Sequence, residues 1–585
     1  MRFAPSDMWF YAVPAWAVRA SSQEGKKKDA SMAAKRNRKK GGKITGRELI
    51  VLLLVIFPMT NAVSSIPPID CMLYVNDTYQ ELEGFGASNV WSSWELVVLA
   101  NSHPEIYDIL FGDLGLDILR LRNTYEFDSG YINRCAEVIS EARARTGRPL
   151  KVLISSWTPP ARLKSNNNLS GGGDATLKKD VHGEYLYEDY ADWWANSVQQ
   201  YASVGIDADY ISMQNEPDYD ADWESCRFVP SESINIAGYD TAFEAVYSEL
   251  YSRMGSAMPK MLAPETASIA SAGNYIKAID DRSHVYGYDH HLYGCADGIG
   301  ETGCAATPDY YITRMTNFGA RYGDKPIMQT EFSDDSHVTT YQAAMDLAFL
   351  IYYSLIHEGV SAYLYWQLTW DDAGLASITW SNWTINPIYY AMRHYSAFTD
   401  PGWIRINTSK YGHYSSMLRT IAFISPDKDE VTLIAINLDS RTLPIMMKPD
   451  WFSIYSSEVY QSTSTAYWQD LGSLDSSMTT DLAGHSITTI HMTGNYLSDC
   501  AEVLTEGFGM NSDLSGNCYV DYDDFEIIIN HWLDSDCDWP NDYCEGADFE
   551  PRDSEVDLFD LSMFSSQWLL CNDPNDPNCP MMNPQ

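Results

Sequence analysis

The sequence predicts an α/β protein: a (β/α)8 TIM barrel with a side β-sandwich domain and a small α-helical calcium-loop module at the C-terminus. Three observations lead to this prediction. Eight apolar, strand-like runs alternate with helix-like segments between residues 84 and 370, and that alternation is typical of parallel strands wrapped by helices. Short alternating runs separated by turns rich in Asp, Ser and Gly follow between residues 400 and 495. An acidic loop that leads into an amphipathic helix then occurs twice, at a 36-residue offset.

The N-terminal residues 1–62 are predicted to be a leader. Residues 19–47 are basic, and the apolar run 49–57 follows directly. A basic segment, a short apolar run and small residues are typical of a secretory signal peptide, and the run is too short to span a bilayer. Met32 is an alternative start that would make residues 1–31 a misassigned extension, and a disordered basic tail is the competing interpretation. We therefore expect a secreted, extracellular or cell-surface attached protein with no transmembrane span once the signal is removed.

Charge and cysteine content narrow the function class further. The net charge of −41 argues against nucleic acid as a partner, because nucleic-acid recognition needs a basic footprint. The 11 cysteines are an odd number, so at least one is unpaired, and export permits disulfides. Cys295 and Cys304 bracket a glycine-rich loop and form a tentative local pair, whereas the sequence leaves the other pairings open.

The barrel is predicted over residues 68–395. Its eight strand-like runs cover residues 84–89, 117–123, 151–157, 208–216, 260–266, 285–293, 325–332 and 362–370. Helix-like segments lie between them, for example at 131–146, 185–204, 240–254 and 340–358. Active sites of such barrels lie at the C-terminal ends of the strands, so the side chains at the ends of these runs are the candidates for chemistry.

One glutamate ends the fourth run and another ends the seventh. They are Glu216 in Met213-Gln214-Asn215-Glu216-Pro217 and Glu331 in Gln329-Thr330-Glu331-Phe332. A closed barrel would bring the two to opposite sides of one cleft. Such a pair of carboxylates is what retaining glycoside hydrolysis needs, one to protonate the leaving oxygen and one to attack the sugar carbon, without a cofactor. Either glutamate alone would more often be a surface carboxylate, so the prediction rests on the pair.

The segments that follow the barrel are predicted to form two smaller units. Residues 396–495 read as the side β-sandwich, with runs at 420–424, 431–438, 453–460 and 486–492. The strand-like segment 69–75, before the first barrel strand, is expected to join the same sheet. A linker is predicted at 496–508, the C-terminal module at 509–572 and a tail at 573–585.

Short motifs follow one another at barrel-strand spacing, and each is weak alone. They are Gly84-Phe85-Gly86-Ala87-Ser88-Asn89, Leu119-Arg120-Leu121-Arg122, Ser155-Ser156-Trp157-Thr158-Pro159-Pro160, Gln214-Asn215-Glu216-Pro217-Asp218, Ala263-Pro264-Glu265, His291-Leu292-Tyr293, Gln329-Thr330-Glu331 and Tyr365-Trp366. In this order they resemble glycoside hydrolase family 30 over residues 68–494. That family consists of retaining enzymes with a (β/α)8 barrel and a side β-domain.

The resemblance implies that Glu216 is the acid/base, kept protonated partly by repulsion from the nucleophile, and that Glu331 is the nucleophile, kept ionised by donors around it. It implies that further residues bind substrate: Asn89, Trp91, Arg120, Trp157, Asn215, His291, Tyr293 and Trp366. Among these, Arg120 would donate to the nucleophile and Asn215 would hold the sugar 2-hydroxyl.

Alternatives to several of these roles stay open. His290 competes with His291 as the site histidine, and Arg122 competes with Arg120. Trp157 and Trp366 would form the aromatic floor of the −1 subsite, or they could be barrel packing. Glu265 could be a buried ion-pair partner instead of a substrate contact.

The substrate prediction follows from the branch of the family that the chain resembles. This is the bacterial xylanase branch, some members of which require glucuronic acid side groups and hold them with an arginine just after the eighth strand. Here that region reads Trp366-Gln367-Leu368-Thr369-Trp370-Asp371-Asp372, without an arginine. We therefore predict an endo-β-1,4-xylanase, acting on plant or algal polysaccharide, that does not strictly depend on glucuronate. Endo-β-1,6-galactanase or β-1,6-glucanase activity is the alternative, and a catalytically silent carbohydrate-binding or adhesion protein is the non-enzyme alternative.

The C-terminal repeat resembles a dockerin module, which implies bound calcium and a cohesin-bearing scaffold or cell-surface partner. In the first loop the expected ligands fall at the offsets of an EF-hand loop: Asp513, Ser515, Asn517, Tyr519, Asp521 and Asp524. Cys518 stands where such loops have glycine. The second loop carries one extra residue near Pro551, so its ligands are provisional: Asp548, Glu550, Asp553, Asp557 and Asp560. A solvated acidic tail is the alternative interpretation.

Overall fold

The computed structural model describes residues 66–126, 128–293, 308–333, 339–370, 373–549, 552–576 and 579. The predicted leader, the predicted Cys295–Cys304 pair and the predicted ligand Glu550 lie outside these residues. Within the described part of the chain, no helix has both the length and the apolar character that a membrane crossing requires.

Eight parallel strands close into a barrel, as the sequence predicts. In chain order they are Gly84–Ser88, Ile118–Arg122, Lys151–Ser155, Tyr210–Ser212, Lys260–Thr266, Gly287–His291, Ile327–Glu331 and Ala362–Tyr365. The first strand pairs with both the second and the eighth, which closes the sheet on itself. Each strand pairs in parallel with the next, so all their C-terminal ends meet at one mouth.

Helices cross back between successive strands on the outside of this barrel. The longer ones are Ser93–Ala100, Ser129–Thr146, Tyr187–Ala202, Tyr239–Met254, Ile269–Ala278, Ile312–Tyr322, Tyr341–Tyr353 and Pro387–Ser396. The short helix Glu105–Tyr107 continues into the π-helical turn Asp108–Asp113, and Ser354–Glu358 is a second such turn. Local sequence sets some of the boundaries: the Asp128 side chain accepts from the Tyr131 amide at one helix start, and Gly147 adopts φ 68° where that helix ends.

Apolar side chains fill the lower barrel and give way to polar ones at the mouth. The interior cluster consists of Ile118, Leu153, Tyr210, Leu262, Met328, Ala362 and Leu364. Because successive strand residues point to opposite faces, Arg120 and Arg122 share the inward face with Ile118, whereas Leu119 and Leu121 pack outward among the helices. The side chain of Arg120 is fully buried. The polar site therefore begins directly above the apolar floor.

The side domain is one nine-stranded mixed sheet. Its strands in chain order are Ile69–Glu81, Ile404–Tyr411, Leu418–Ile424, Glu430–Asn437, Leu443–Pro449, Phe452–Ser462, Gln469–Gly472, Thr479–Leu482 and Ser486–Tyr496. As predicted, the segment before the barrel joins it: Ile69–Glu81 lies between Ile404–Tyr411 and Leu443–Pro449. The edge strand Thr479–Leu482 also approaches Ser486–Tyr496, so the sheet curls over and encloses its own apolar core.

The outer face of this sheet packs on the barrel. Ile421, Ile434 and Ile487 belong to the same apolar cluster as the barrel helices. At the centre of this contact His394 is buried, with Nδ1 at 2.9 Å from Thr489 Oγ1 and Nε2 at 2.8 Å from Ser462 Oγ. Burial lowers the pKa of His394 to about 3, so the ring is neutral and its two nitrogens can share hydroxyl bonds.

The C-terminal residues form a small duplicated unit with its own apolar cluster. Its helices are Cys500–Thr505, Tyr522–Asn530, Asp542–Glu545 and Leu558–Ser566. Disulfides join Cys500 to Cys518, Cys537 to Cys544 and Cys571 to Cys579, while Cys71, Cys135 and Cys226 are free and buried. The predicted linker 496–508 therefore carries a helix, and its Glu506 accepts from Ser453 Oγ at 2.9 Å in the side domain.

Candidate active site

The two predicted catalytic glutamates meet at the mouth of the barrel. Glu331 is the last residue of the seventh strand, and Glu216 lies four residues after the end of the fourth. Carboxylate oxygens of Glu216 and Glu331 and a ring nitrogen of His291 all lie within 4.8 Å of one another. The Glu331 side chain is 7% exposed and that of Glu216 is 13% exposed, so both are reachable from the mouth but largely dry.

The turn that carries Glu216 is built by backbone contacts with neighbouring strands. Glu216 has φ 47° and Glu265, at the end of the fifth strand, has φ 54°. These are left-handed values that residues with a side chain rarely adopt, and they concentrate at functional sites. The Glu216 amide donates to the Glu265 carbonyl at 2.9 Å, and the Asn215 amide donates to the Ser156 carbonyl at 2.7 Å. The fourth strand therefore leaves the sheet early in order to aim Glu216 across the mouth.

Arg120 is the centre of the site. Its Nη1 donates to Glu331 Oε2 at 2.5 Å, and its Nη2 donates to Asn215 Oδ1 at 2.6 Å. Its Nε donates to Ser155 Oγ at 3.0 Å, and its Nη2 lies 3.0 Å from Glu265 Oε1. A planar guanidinium presents these donors in one fixed fork. It therefore fixes the carboxylate of Glu331 and the side-chain amide of Asn215 relative to each other.

Glu265 is the partner that the sequence prediction left ambiguous. It is fully buried, it forms an ion pair with Arg120, and its Oε1 accepts from Ser155 Oγ at 2.6 Å. The structure therefore supports the ion-pair alternative for Glu265. Ser155, at the end of the third strand, was not among the predicted site residues. The signal for it was the Ser-Ser-Trp motif at a strand end, where small hydroxyl side chains can support an arginine.

His291 joins the two catalytic carboxylates from the sixth strand. Its Nδ1 lies 3.0 Å from Glu216 Oε1, and its Nε2 lies 3.9 Å from both Glu265 Oε1 and Glu331 Oε2. The competing His290 points to the other face of the strand, where its Nε2 contacts Glu358 at 2.5 Å. This is what the alternation of side chains along a strand requires. Of the two histidines, His291 is therefore the one that lies beside Glu216 and Glu331.

Burial and the neighbouring charges together shift the pKa values of His291 and Glu331. Burial would lower the pKa of His291, but the negative charges of Glu331, Glu216 and Glu265 outweigh burial and raise it to about 10. His291 is therefore cationic at neutral pH. Burial raises the pKa of Glu331, while His291 and Arg120 oppose that rise. Two cations thus face three carboxyl groups in a dry site.

Two groups of side chains in the described residues are close enough to share a metal ion. The first consists of Glu216, His291 and Glu331. An ion there would have to displace the proton that the neighbouring carboxylates favour on His291. A second group within the described residues is His531, Asp534 and Cys544, but Cys544 is in a disulfide and offers no thiolate.

Aromatic side chains form one wall of the mouth. Trp91, Trp157, Trp366 and Trp370 follow one another with ring centroids 6.2, 5.5 and 5.9 Å apart. The Arg120 guanidinium lies over Trp157 at 4.6 Å and near Trp366 at 5.9 Å. Trp157 is 5% exposed, so it supports the arginine, while Trp91 and Trp366 are half-buried and face the opening.

The remaining predicted substrate contacts lie around this wall. The ring of Tyr293 lies 5.9 Å from that of His291, edge-on. Asn89 is fully buried, and its backbone amide donates to the backbone carbonyl of Arg120 at 2.9 Å. Asn89 therefore lies beneath the cleft surface. Arg122, the alternative to Arg120, stacks over Trp91 at 4.3 Å and donates to Tyr125 Oη at 2.9 Å. It is therefore at the mouth without contacting either catalytic glutamate.

The predicted calcium ligands lie in two loops with matching hydrogen bonds. In the first loop Asp513 accepts from the Cys518 amide at 2.8 Å, and Asp524 accepts from the amides of Ser515 and Asp521 at 2.7 and 2.8 Å. The Tyr519 amide donates to Asn517 Oδ1 at 2.8 Å. Cys518 has φ 67°, so it takes the left-handed conformation for which such loops normally use glycine.

The second loop repeats this arrangement despite its extra residue. Asp548 accepts from the Ser554 amide at 3.0 Å, and Asp560 accepts from the amides of Phe549 and Asp557 at 2.8 Å. Ser554, 36 residues after Cys518, has φ 71°. The predicted ligand Asp553 accepts from the Glu555 amide at 3.2 Å.

The first and last acids of each loop satisfy one requirement of a cation site. Asp513, Asp524, Asp548 and Asp560 are buried, and none of them forms an ion pair with a basic side chain in the described part of the chain. Burial raises the pKa of Asp513, with a further contribution from the charge of Asp524. Buried carboxylates are stable when they are paired or bind metal, so a hard cation fits these loops.

Comparisons with known proteins agree with the fold. No family model matches the chain. It is 23% identical over 411 residues to a glucuronoxylanase of Bacillus subtilis (strain 168), a match that covers 67% of this chain and 85% of the relative. It is 24% identical over 318 residues to an endo-1,6-β-D-glucanase of Aspergillus fumigatus, covering 49% of this chain and 58% of the relative.

A solved structure shows the same architecture. The chain is similar to a glycoside hydrolase family 30 subfamily 8 xylanase from Clostridium acetobutylicum, with a TM-score of 0.57 at 22% identity, over 72% of this chain and 99% of that one. This likeness confirms the predicted TIM barrel with a side β-domain. The named relatives and this structure are all glycoside hydrolases, which supports the prediction of an enzyme of that class.

Proposed function

We propose that the chain is a secreted, retaining glycoside hydrolase of the family 30 type that cleaves β-linked polysaccharide, and that xylan is its main substrate. One observation carries the proposal: a carboxylate oxygen of Glu216 and one of Glu331 lie within 4.8 Å of each other across the mouth. Retaining enzymes hold their two carboxyl groups about 5–5.5 Å apart, whereas inverting enzymes need about 6.5–9.5 Å to admit a water. The short separation supports double displacement.

In the first step Glu331 attacks the anomeric carbon of the sugar in the −1 subsite. The bond between that carbon and the glycosidic oxygen breaks, and Glu216 donates a proton to the departing oxygen. The product is an ester between the sugar and Glu331, together with a released chain end. In the second step Glu216 removes a proton from water, the water oxygen attacks the anomeric carbon, and the carboxylate of Glu331 leaves.

The buried cations assist both steps. Arg120 and His291 favour the ionised nucleophile that burial alone would protonate, and Arg120 holds it by a direct bond at 2.5 Å. Because Asn215 Oδ1 accepts from Arg120 at 2.6 Å, its Nδ2 group is the donor left for a sugar hydroxyl. Hydrogen bonds to the sugar 2-hydroxyl strengthen in the transition state. His291 contacts Glu216 at 3.0 Å and so orients the acid.

The substrate assignment combines the comparisons with the chemistry of the mouth. The relatives act on glucuronoxylan and on β-1,6-glucan by name. In the loop after the eighth strand, residues 366–386 include no Arg or Lys. An anionic glucuronate side group would therefore find no cation there. We propose endo-β-1,4-xylanase activity that does not depend on glucuronate, with a β-1,6-glucanase or β-1,6-galactanase as the second candidate because of the fungal relative.

A product analysis tests this function. The full chain is incubated with glucuronoxylan, unsubstituted xylan, β-1,6-glucan and β-1,6-galactan, beside Glu331→Gln and the surface control Glu188→Gln. Oligosaccharides from both xylans, lost in Glu331→Gln and kept in Glu188→Gln, are expected. Release only from a β-1,6-linked polymer would replace the substrate. Binding without hydrolysis by the parent chain would establish the silent binding protein instead.

For the C-terminal unit we propose a calcium-loaded, dockerin-like docking module. The support is that buried acids without a basic partner among the described residues, together with left-handed turns, occur in both loops. Such a module would attach the secreted enzyme to a cohesin-bearing scaffold or cell-surface protein. Pull-down with cohesin domains in the presence of calcium or chelator tests it, and no calcium-dependent capture by any cohesin would contradict the proposal.

A further inference from the structure

Two pairs of aromatic side chains remain exposed beyond the catalytic centre. The first consists of Trp94 and Trp380, which are 57% and 50% exposed. Their ring centroids are 5.6 Å apart at an interplanar angle of 84°. Trp94 is the second residue of the helix Ser93–Ala100, which follows the first barrel strand, and Trp380 lies in the loop after the eighth. Single exposed aromatics are common, but two in contact form an apolar patch that needs an explanation.

The second pair consists of Tyr219 and Trp223, which are 41% and 54% exposed. Their ring centroids are 6.0 Å apart. Both belong to the loop between the fourth strand and the helix Tyr239–Met254. The Tyr219 amide donates to the Glu216 carbonyl at 3.0 Å, and the Trp223 carbonyl accepts from the Gly171 amide at 2.7 Å. This pair is therefore attached directly to the turn that carries the acid/base.

The barrel topology places the two pairs on opposite sides of the mouth. The closed sheet has eight strands in sequential order, so the fourth and the eighth strands are diametrically opposed, and the first is next to the eighth. The loops after these strands all rise from the mouth. The second pair therefore lies on the side of the mouth from which Glu216 projects, and the first pair lies on the opposite side, where the eighth strand neighbours the strand that ends in Glu331.

The first pair also continues the aromatic wall of the site. That wall ends at Trp370, in the short strand Thr369–Trp370. This strand pairs with Ala376–Ile378, which leads directly into the turn with Trp380. At the other end of the wall, Trp91 is three residues before Trp94. The exposed pair is thus the outward extension of the wall that begins beside Arg120.

We propose that these pairs are two distal platforms on which sugar rings of one polysaccharide chain stack, one at each end of the cleft. Tyr219 and Trp223 would contact the leaving-group side, because the acid/base must face the departing oxygen, and Trp94 and Trp380 would contact the other side. This rests on the proposed function and adds to it that affinity for long chains is made outside the catalytic centre. Exposed, flat apolar rings suit the apolar faces of pyranose rings.

Kinetics on long and short substrates test the platforms. The variants are Trp94→Ala/Trp380→Ala and Tyr219→Ala/Trp223→Ala, with Trp539→Ala as the control because Trp539 is an 80% exposed tryptophan of the C-terminal unit. We expect each double variant to raise KM for the polymer by roughly 2- to 10-fold, the loss of about one aromatic contact. The kcat/KM for the shortest cleaved oligosaccharide should stay within about twofold, and Trp539→Ala should behave as the parent.

The outcomes separate this inference from the function on which it rests. Unchanged polymer kinetics in both double variants, with an active parent, would overturn the platforms and leave the hydrolase intact. Equal losses on polymer and on the shortest oligosaccharide would also overturn them, because the side chains would then act through the fold or the catalytic centre. Trp380→Phe and Trp223→Phe keep a stacking face and should restore most of the polymer affinity. A parent inactive on every polysaccharide would refute the function first and the platforms with it.

Discussion

The most informative perturbation is the replacement of Arg120, because it separates the charge of this residue from its geometry. Arg120 contacts Glu331, Asn215, Ser155 and Glu265 from one buried guanidinium. Lysine at this position keeps the charge but not the fork. Methionine keeps much of the length and removes both. The two variants should therefore fail in different ways.

The charge effect can be worked from the site. Two unit charges about 4 Å apart interact by about 4 kcal/mol at an effective dielectric constant of about 20, which corresponds to roughly 3 pKa units. His291 remains as a second cation, and a carboxylate beside an arginine typically shifts by about 1–3 units. Removing Arg120 raises the pKa of Glu331 further, so the acid limb of kcat/KM should move upward by about 1–2 pH units in Arg120→Met.

The geometric effect should appear in kcat. Arg120→Lys should leave the acid limb near its original pH but lower kcat by about 10²–10³-fold, the range measured for loss of one preorganised donor at a reacting centre. Arg120→Met should also lower the free energy of unfolding by about 3–5 kcal/mol, because it leaves Glu265 and Glu331 buried without their cation. Both variants are compared with Arg122→Met. Arg122 lies on the same face of the strand as Arg120 but contacts neither Glu216 nor Glu331.

The assay is the pH dependence of initial rates on xylan, with thermal unfolding of each variant. An acid limb that stays in place in Arg120→Met, with reduced kcat, would refute the reasoning, since the nucleophile would then not titrate against this arginine. A shift of equal size in Arg122→Met would refute it as well, because distance from the glutamates would not matter.

Two further predictions follow from the same structure. Glu216→Gln should slow hydrolysis of xylan by about 10²–10⁴-fold. The first step on an aryl glycoside should stay nearly intact, because a good leaving group needs no proton. A stopped-flow burst of the released phenol checks this, and equal losses on both substrates would contradict it. Calcium at about 100 times its dissociation constant should stabilise the C-terminal unit by about 2.7 kcal/mol for each occupied loop. Asp524→Ala should abolish the contribution of the first loop in calorimetry, whereas an unchanged parent melting curve with calcium or chelator would contradict calcium binding.

The sequence predicted the barrel strands well and their ends less well, for a physical reason. The fourth run was predicted over 208–216, but the strand is only Tyr210–Ser212. Its last residues leave the sheet because Gln214 and Asn215 bond to the loop after the third strand, to the carbonyls of Trp157 and Ser156 at 2.8 and 2.7 Å. An apolar run in a sequence indicates burial. It does not distinguish residues that are buried in the sheet from residues that are buried in the site.

Several strands of the side domain could not be predicted from local pattern. Leu443–Pro449 contains two prolines, and proline disfavours a central strand. It nevertheless pairs in parallel with Ile69–Glu81, more than 370 residues earlier, as the Ile69 to Ile445 register shows. Gln469–Gly472 is exposed throughout, so it carries no apolar alternation. Pairing across such a distance depends on the closed barrel between the two strands, and the sequence alone does not reveal it.

The order of the motifs along the chain has one structural explanation: they converge on Arg120. Six strands, or the residues directly after them, each supply a neighbour of its guanidinium. From the first, third, fourth, fifth, seventh and eighth strands these neighbours are, in order, Ser88, Ser155, Asn215, Glu265, Glu331 and Trp366. The sixth strand adds His291, 3.9 Å from Glu265 and Glu331. Each motif is weak alone because each supplies one contact.

Together the contacts hold a buried cation whose counter-charges, within the described residues, are Glu265 and Glu331. The whole set is therefore far more constrained than any single member. The site could therefore be predicted as a set from order and spacing. The sequence could not show which contacts Arg120 makes with each of them, because Glu265 and Glu331 are chemically equivalent partners for a guanidinium. It follows that replacing Glu265 with Gln should lower kcat without a direct substrate contact, and that Ser155→Ala, which removes a weaker neutral bond, should have a smaller effect of the same kind.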